Sequence, residues 1–262
     1  MTETEKLKEL RNYSGEDRII TSYDLQEIIK NDVDNEVKIY SKMPGLDEAI
    51  DGFEGGELII ISGKMKNGKT LLAQTLTVSF QRQDVKSLWY SYEMTPKQFL
   101  RAFKDEIPYF LCPMSLKAYS MPWVIDRMLE ALVKHGIRVV FIDHLHFLFD
   151  MARTKNTSLE IGQVVRELKA VAIRYNLIIF LMAHMKKVEF DKEPTEADLR
   201  DSSLLASESD TGLILWRLKN TENRAVLKVP YCRRTGAMGK KINIIKNENG
   251  LLGEFDNDHN QF

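Results

Sequence analysis

The chain has 262 residues, enough for one large α/β domain with a small appendage, and its 44% hydrophobic content is typical of a globular protein. Its 37 basic and 38 acidic side chains give a net charge of −1, which argues against a protein that coats DNA. No apolar run approaches the roughly 20 residues of a membrane span, and the charged segment Met1–Lys6 is unlike a signal peptide. The cysteines, Cys112 and Cys232, lack metal-binding spacing, so we expect reduced thiols in a cytoplasmic protein without membrane contact.

The sequence predicts an N-terminal arm over residues 1–40 and the main domain over residues 41–262. Residues 1–21 are polar and charged without sustained periodicity, which indicates a flexible segment. Residues 23–30 have helical spacing, with Leu25, Ile28 and Ile29 on one face. Because an isolated helix this short is marginal, the face must be covered. Its own domain and a neighbouring subunit are equally compatible with the pattern.

The most specific motif follows Leu58–Ser62, a short apolar segment of the kind that forms a buried parallel strand. It matches G-x-x-x-x-G-K-[ST], the phosphate-binding loop, and comprises Gly63, Lys64, Met65, Lys66, Asn67, Gly68, Lys69 and Thr70. The glycines let the backbone approach phosphate oxygens, and the helix predicted to follow places its N-terminus at the anion. We expect Lys69 at the β- and γ-phosphates and the Thr70 hydroxyl at Mg²⁺. The motif predicts binding of ATP or GTP.

Strands and helices alternate after this loop. The predicted strands are Ser87–Tyr92, Arg138–Asp143, Leu177–Met182 and Gly212–Trp216. The predicted helices are Pro96–Glu106, Pro122–His135 and Leu159–Tyr175. More strands are predicted from about Ala225 onward. The alternation indicates a mainly parallel sheet with helices on both faces.

Ligands of open α/β sheets bind at the carboxyl ends of the strands, so polar residues at those ends are candidates for the site. Asp143 follows four apolar residues, the Walker B arrangement, and is a predicted Mg²⁺ ligand. Glu93 is a candidate general base for the attacking water, and His184 is a candidate hydrogen-bonding partner of the γ-phosphate. The alternatives are a strand-end cap at Asp143, a surface carboxylate at Glu93 and a structural histidine at His184.

Two later segments carry basic residues. The first, Thr195–Asp210, follows Lys186 and Lys187 and is polar and mixed in charge. It could hold a DNA phosphate through Arg200, Lys186 or backbone amides at a helix start, with a solvated loop as the alternative. The second places Arg233 and Arg234 at a strand end before a turn. An arginine finger supplied to another subunit and a plain surface pair are equally compatible with this pattern.

Several segments, taken in order, resemble the ring-forming replicative helicases of the DnaB type, including the helicase half of phage primase-helicases. Ser91–Thr95 resembles their S-L-E-M-S segment, Ile142–Phe147 resembles I-D-Y-L-Q-L, Asp198–Ser202 resembles D-L-R-E-S, and Cys232–Gly236 resembles C-R-F-T-G. His184 falls where these proteins have Gln or His as a γ-phosphate sensor. The resemblance runs from about residue 40 to about residue 256.

The resemblance implies a RecA-like P-loop NTPase core with C-terminal antiparallel strands. It implies an ATP-dependent DNA helicase that translocates on single-stranded DNA as a homo-oligomeric ring, a hexamer, during DNA replication. In this family the glutamate matched by Glu93 is the base, and the arginine matched by Arg233 acts on the ATP of the neighbouring subunit. The implied DNA-facing residues are Lys186, Lys187, Arg200, Asp201 and Ser202. A separate primase or helicase loader is an expected partner, and the helix over residues 23–30 is expected to clip neighbouring subunits together.

The chain also departs from the family pattern. Tyr231 stands where these proteins often have a lysine that contacts the neighbour's γ-phosphate, and Ser203 replaces the glycine after D-L-R-E-S. We expect a motor domain with a short arm and without an N-terminal primase. Two other functions are compatible with the motifs: a RecA-like recombinase or repair ATPase, and a DNA-independent RecA-like regulatory ATPase whose partner is a protein.

Overall fold

The computed structural model describes residues 1–15, 17–31, 37–64, 66–104, 107–150, 156–184, 202–218, 221 and 223–255. The chain divides into two compact units, Met1–Glu36 and Val37–Phe262. Among the described helices, none is both long and apolar enough to cross a membrane.

The smaller unit contains two helices, α1 (Glu3–Arg11) and α2 (Ser22–Asn31). The helix predicted over residues 23–30 corresponds to α2, and none of its residues is buried. Helix α1 was not predicted, because its sequence has no apolar periodicity. A capping box defines its start instead: the Thr2 side chain accepts a hydrogen bond from the Glu5 N–H, and the Glu5 carboxylate accepts one from the Thr2 N–H. Segment 1–21 therefore contains a helix where the sequence indicated only an arm.

Among the described residues, the larger unit contains six α-helices, one 3₁₀ helix (Leu145–Phe147) and ten strands. The helices are α3 (Pro44–Ile50), α4 (Lys69–Gln81), α5 (Pro96–Leu100), α6 (Met121–His135), α7 (Thr157–Tyr175) and α8 (Ser202–Glu208). The strands are β1 (Lys38–Ile39), β2 (Phe53–Glu54), β3 (Leu58–Gly63), β4 (Ser87–Ser91), β5 (Val139–Asp143), β6 (Ile178–His184), β7 (Thr211–Arg217), β8 (Arg224–Val229), β9 (Lys240–Lys246) and β10 (Leu252–Glu254).

Eight strands form one mixed sheet in the order β10-β9-β8-β7-β3-β6-β5-β4. Strands β7, β3, β6, β5 and β4 are parallel, whereas β8, β9 and β10 continue the sheet in antiparallel pairs. The parallel core and the antiparallel C-terminal strands confirm the predicted fold. The four strands predicted after the loop are β4 to β7, with ends shifted by at most two residues.

The sheet separates two hydrophobic cores. Alternate residues of β3 face opposite sides, so Ile59 and Ile61 pack with helices α3 and α4, whereas Leu58 and Ile60 pack with α6 and α7. All six residues of β3 are buried, as expected for a central parallel strand. Packing against both cores holds β3 in place, and the phosphate-binding loop begins at the last residue of this strand, Gly63.

The helix predicted over residues 96–106 ends early, at Leu100. The Gln74 side-chain amide donates a 3.0 Å hydrogen bond to the Phe99 carbonyl. The next backbone bonds run from Ala102 to Phe99 and from Phe103 to Leu100, which is the tighter i−3 pattern of a terminating helix. A polar contact from α4, distant in sequence, therefore accompanies the end of α5.

Candidate active site

The predicted nucleotide site lies at the carboxyl edge of the parallel sheet. Gly63, at the end of β3, is in register with His184 at the end of β6, and Asp143 at the end of β5 is in register with Ser91. Glu93 follows the end of β4 by two residues. The fold therefore brings the candidate side chains from four strand ends to one edge.

The phosphate-binding loop depends on glycine at both ends. A Cβ atom on Gly63 would lie 2.3 Å from the Leu215 carbonyl oxygen, so a side chain there would clash with the backbone of β7. Gly68 has a φ of 96° and is the N-cap of α4, a left-handed conformation that favours glycine. Between them, Asn67 Oδ1 accepts a 2.7 Å hydrogen bond from the Arg217 backbone N–H, which ties the loop to β7.

Lys69 lies within this loop and is only 5% exposed. Its ammonium group donates to the carbonyl oxygens of Gly63 at 3.1 Å and Lys64 at 3.2 Å. Burial lowers the pKa of Lys69, while the nearby carboxylates of Glu93 and Asp143 act in the opposite direction. The loop thus holds a positive charge at the N-terminus of α4, where an anion is already favoured.

Asp143 and Thr70 form the second part of the site. Thr70 Oγ1 donates a 2.7 Å hydrogen bond to Asp143 Oδ2. Asp143 is fully buried, and burial raises its pKa to about 6, although the bond from Thr70 opposes this rise. The other carboxylate oxygen, Asp143 Oδ1, is buried and has no hydrogen-bond partner in the part of the chain that the structure describes.

Glu93 is held by two histidines on one of its oxygens. Glu93 Oε1 lies 3.1 Å from His144 Nε2 and 3.0 Å from His184 Nε2. The Nδ1 atom of His144 accepts a 3.3 Å hydrogen bond from the His146 backbone N–H, so the neutral His144 ring carries its proton on Nε2, facing Glu93. Burial lowers the pKa of His144 to about 3, which keeps this ring neutral at physiological pH.

His144 was missed as an individual site residue. It appeared in the sequence only within the segment compared with I-D-Y-L-Q-L, at the tyrosine position. The available signal was its place directly after Asp143, at a strand end that already carried a candidate ligand.

Arg233 does not lie at this edge. Cys232 forms a β-bridge with Thr211 at the start of β7, and the Arg233 backbone N–H donates to the Asp210 carbonyl. The phosphate-binding loop instead meets β7 at Leu215. Four residues of extended strand correspond to about 13 Å, so Arg233 is at the amino edge of the sheet.

Arg234 holds the turn that contains Arg233 against the rest of the domain. Its guanidinium donates to Glu57 Oε1 at 3.0 Å and to the carbonyl oxygens of Ile50 at 2.8 Å and Gly52 at 2.7 Å. The Arg233 guanidinium contacts the Ser207 carbonyl at the end of α8. The two neighbouring arginines therefore differ in their partners: Arg234 binds several groups of the domain, whereas the Arg233 guanidinium contacts the end of α8 at the surface.

Four of the predicted DNA-facing residues, Lys186, Lys187, Arg200 and Asp201, lie outside the described residues, as does Met65 of the loop. The fifth, Ser202, is the first residue of α8, but its side chain is not described. Tyr231, which stands at the family's lysine position, has its hydroxyl oxygen 2.7 Å from Ser209 Oγ.

Comparison with known proteins identifies the family. The model of the DnaB-like helicase C-terminal domain matches residues 39–106 and 112–261. The chain belongs to this family. The replicative DNA helicase DnaB of Rickettsia typhi is 24% identical over 238 residues, which cover 74% of this chain and 47% of that protein. A probable replicative DNA helicase of Trieres chinensis is 24% identical over 262 residues, covering 83% of this chain and 55% of that protein. The chain spans about half the length of the curated relatives it matches.

Solved structures show the same fold for this member of the DnaB-like family. A chain described as an ATPase domain superimposes with a TM-score of 0.72 at 18% identity, over 89% of this chain and 97% of that one. A DnaB-like replicative helicase, described with its interactions with primase, gives a TM-score of 0.71 at 17% identity, over 97% of this chain and 71% of that one. The expected RecA-like core is confirmed.

Proposed function

We propose that the chain is the motor of an ATP-dependent DNA helicase that translocates on single-stranded DNA as a homo-oligomeric ring, a hexamer, during DNA replication. The observation that carries this proposal is the separation of the two halves of the site. Lys69, Thr70, Asp143 and Glu93 lie at the carboxyl edge of the sheet, whereas Arg233 lies at the amino edge. The family membership of the chain supports the choice of substrate.

ATP phosphates would bind at the loop. The backbone amides at the start of α4 face the anion, and the Lys69 ammonium exchanges the carbonyls of Gly63 and Lys64 for phosphate oxygens. Beside the loop, a cleft would receive the nucleoside; it is lined by Leu71, Leu215 and Leu252 and by the basic residues Lys66, Arg217, Arg224 and Lys246.

The residues at the end of β5 fit Mg²⁺. Asp143 Oδ1 is a buried oxygen that lacks a hydrogen-bond partner among the described residues, and the Thr70 hydroxyl lies next to the same carboxylate. Oxygen donors of this kind are those that Mg²⁺ prefers. Thr70 and Asp143 would therefore hold the ion, which when bound supplies positive charge to the phosphate oxygens.

Glu93 would take the proton of the attacking water. Because both histidine nitrogens contact Oε1, the carboxylate is held in one orientation and Oε2 is the oxygen able to accept that proton. His184, which lies on the same edge as the loop, would also contact the γ-phosphate.

Arg233 would complete the site of a neighbouring subunit. Its distance from its own phosphate-binding loop prevents it from reaching the nucleotide bound there, and its exposure at the surface suits contact with another copy of the chain. In the ring, the residues that would face DNA are Lys186, Lys187, Arg200, Asp201 and Ser202. Helix α2 would dock on a neighbouring subunit. A separate primase or loader is a proposed partner.

The direct test is strand displacement. We expect the purified chain to separate a forked DNA duplex in the presence of ATP and Mg²⁺, and we expect the Lys69→Ala variant to fail. Closed rings in electron micrographs would support the ring. Filaments that bind DNA without separating the strands would overturn the proposal in favour of a recombinase. ATP turnover that does not change when DNA is added would overturn it in favour of a regulatory ATPase.

A further inference from the structure

We propose that Glu93, His144 and His184 form a binding site for a transition-metal dication of the Zn²⁺ class. We call these three residues the Glu93 cluster. One ligand atom from each, namely a carboxylate oxygen of Glu93 and a ring nitrogen of each histidine, lies within 4.8 Å of the other two. Two imidazoles and one carboxylate, with a fourth position left for solvent, are a ligand set found in catalytic zinc sites.

The distances suit an ion of this size. Glu93 Oε1 lies 3.1 Å from His144 Nε2 and 3.0 Å from His184 Nε2. Ligand atoms about 2.1 Å from a tetrahedral Zn²⁺ ion lie about 3.4 Å from one another. The two oxygen–nitrogen distances are already close to this value, and movement of the two imidazole nitrogens, which lie within 4.8 Å of each other, would bring all three atoms to one ion. The Glu93 side chain is 33% exposed, which gives the ion a route from solvent.

The donor atoms distinguish this site from the proposed Mg²⁺ site beside it. Thr70 and Asp143 offer oxygen atoms alone, which suit Mg²⁺. The Glu93 cluster offers two imidazole nitrogens, which suit Zn²⁺, Cu²⁺, Ni²⁺ or Fe²⁺. The two neighbouring sites would therefore take different metals.

A third histidine supports the metal-bound form. His146 Nδ1 lies 3.2 Å from His144 Nδ1. When His144 Nε2 binds a metal, the proton of that neutral ring moves to Nδ1, where His146 Nδ1 accepts it in a hydrogen bond. This bond replaces the one from the His146 backbone N–H, and the ring neither gains nor loses a proton. A hydrogen bond on the second nitrogen is the usual support of a metal-binding histidine.

The local charges also permit a dication. The Lys69 ammonium is close enough to act on the His144 ring and opposes a second positive charge. It is bound to the carbonyls of Gly63 and Lys64, and the carboxylates of Glu93 and Asp143 both act on it. Two carboxylates therefore face one ammonium in the region of the site.

Metal binding has a consequence that rests on the proposed function. If Glu93 is the base for the attacking water, an ion bound at Oε1 withdraws negative charge from the carboxylate, which makes Oε2 a weaker proton acceptor. Zn²⁺ would then inhibit ATP turnover even when Mg²⁺ is in excess.

The first experiment measures binding without nucleotide. We expect a calorimetric titration of Zn²⁺ into the full chain to show one ion per chain, and we expect His144→Ala and His184→Ala each to weaken binding more than about 100-fold. His135→Ala is the matched control, because His135 is exposed at the end of α6 and should leave the affinity unchanged. Circular dichroism checks that each variant is folded.

Two outcomes would overturn the site. One is the same Zn²⁺ affinity in the wild type and in the His144→Ala and His184→Ala variants. The other is loss of Zn²⁺ binding in Asp143→Asn with retention in His184→Ala, which would assign the ion to the Mg²⁺ ligands.

The second experiment separates the site from the proposed function. ATP turnover in excess Mg²⁺ should be half inhibited at the Zn²⁺ concentration that half fills the site in the titration. Binding without inhibition would retain the metal site and reject Glu93 as the base. Absence of binding would reject the metal site, whatever the rate of turnover.

Discussion

Thr70 Oγ1 donates a 2.7 Å hydrogen bond to Asp143 Oδ2 and so joins the first turn of α4 to the end of β5. This contact links the phosphate-binding loop to the strand that carries the second oxygen ligand. It also satisfies one oxygen of a fully buried carboxylate, which leaves the other oxygen as the proposed ligand of Mg²⁺.

The Thr70→Ala variant tests this link. Removing the hydroxyl leaves Asp143 without its bond and removes a proposed Mg²⁺ ligand. We expect a loss of stability of about 1–3 kcal/mol, because a buried acceptor becomes unsatisfied. We also expect the Mg²⁺-dependent gain in ATP affinity to fall, as measured by nucleotide binding with and without Mg²⁺. Thr70→Ser keeps the hydroxyl and should restore both properties. A Thr70→Ala variant with the Mg²⁺ dependence of the wild type would exclude the proposed role.

Lys69→Ala tests the phosphate site. Its ammonium is placed to contact phosphate oxygens, and loss of such a preorganised charge should lower ATP turnover by at least about 100-fold. Lys134→Ala is a matched control: Lys134 is 63% exposed and pairs with Glu130 on the surface of α6. It should change turnover little. Full turnover by Lys69→Ala would show that ATP is not bound at this loop.

Arg233→Ala tests whether sites are shared between subunits. Alone, this variant should lose turnover, because each site lacks the arginine from its neighbour. Mixed in equal amounts with Lys69→Ala and allowed to exchange subunits, it should regain activity, since about one quarter of the interfaces then pair an intact Lys69 with an intact Arg233. The control is each variant incubated alone under the same conditions. A mixture with no more activity than its components would contradict the shared site.

Arg234 is predicted to stabilise the domain rather than to act on ATP. Arg234→Met removes a guanidinium that binds the carbonyl oxygens of Ile50 and Gly52 and pairs with three carboxylates, and it leaves Glu57 without its counter-charge. Burial already raises the pKa of Glu57, so the unpaired carboxylate should be costly. We expect a loss of about 1–3 kcal/mol in urea unfolding.

Arg166→Met provides the comparison for that loss. Arg166 is 54% exposed and forms a surface pair with Glu208, so its loss should cost no more than about 1 kcal/mol. Arg234→Lys keeps the charge without the planar fork and should recover stability only in part. If Arg234→Met and Arg166→Met both unfold at the same urea concentration as the wild type, the contacts of Arg234 do not contribute to stability.

The strands of the sheet and the positions of most candidate site residues could be predicted from the sequence, because both follow from local patterns. The apolar segments of β3 and β5 predict central strands, and Asp143 and His184 follow from the rule that ligands bind at strand ends. Strand ends were accurate because the strands are short and buried.

The remaining features depend on contacts between residues far apart in the chain. Arg234 and Glu57 are separated by 177 residues, so the local sequence does not show that Arg234 pairs with a carboxylate elsewhere in the domain. Glu93 and His184 are separated by 91 residues, so their shared hydrogen bond appears only once β4 and β6 are placed in one sheet. Local periodicity cannot report such pairs. The roles of the DNA-facing residues remain predictions.

The central claim is that ATP hydrolysis drives motion on DNA, and ATP turnover with and without single-stranded DNA tests it most directly. Both measurements should be made at one moderate salt concentration, because such binding weakens as salt is raised. The account predicts strong stimulation of the wild type by single-stranded DNA, with the Lys69→Ala variant inactive in both conditions. Normal basal turnover that does not respond to DNA would contradict it and would indicate an ATPase with a protein partner.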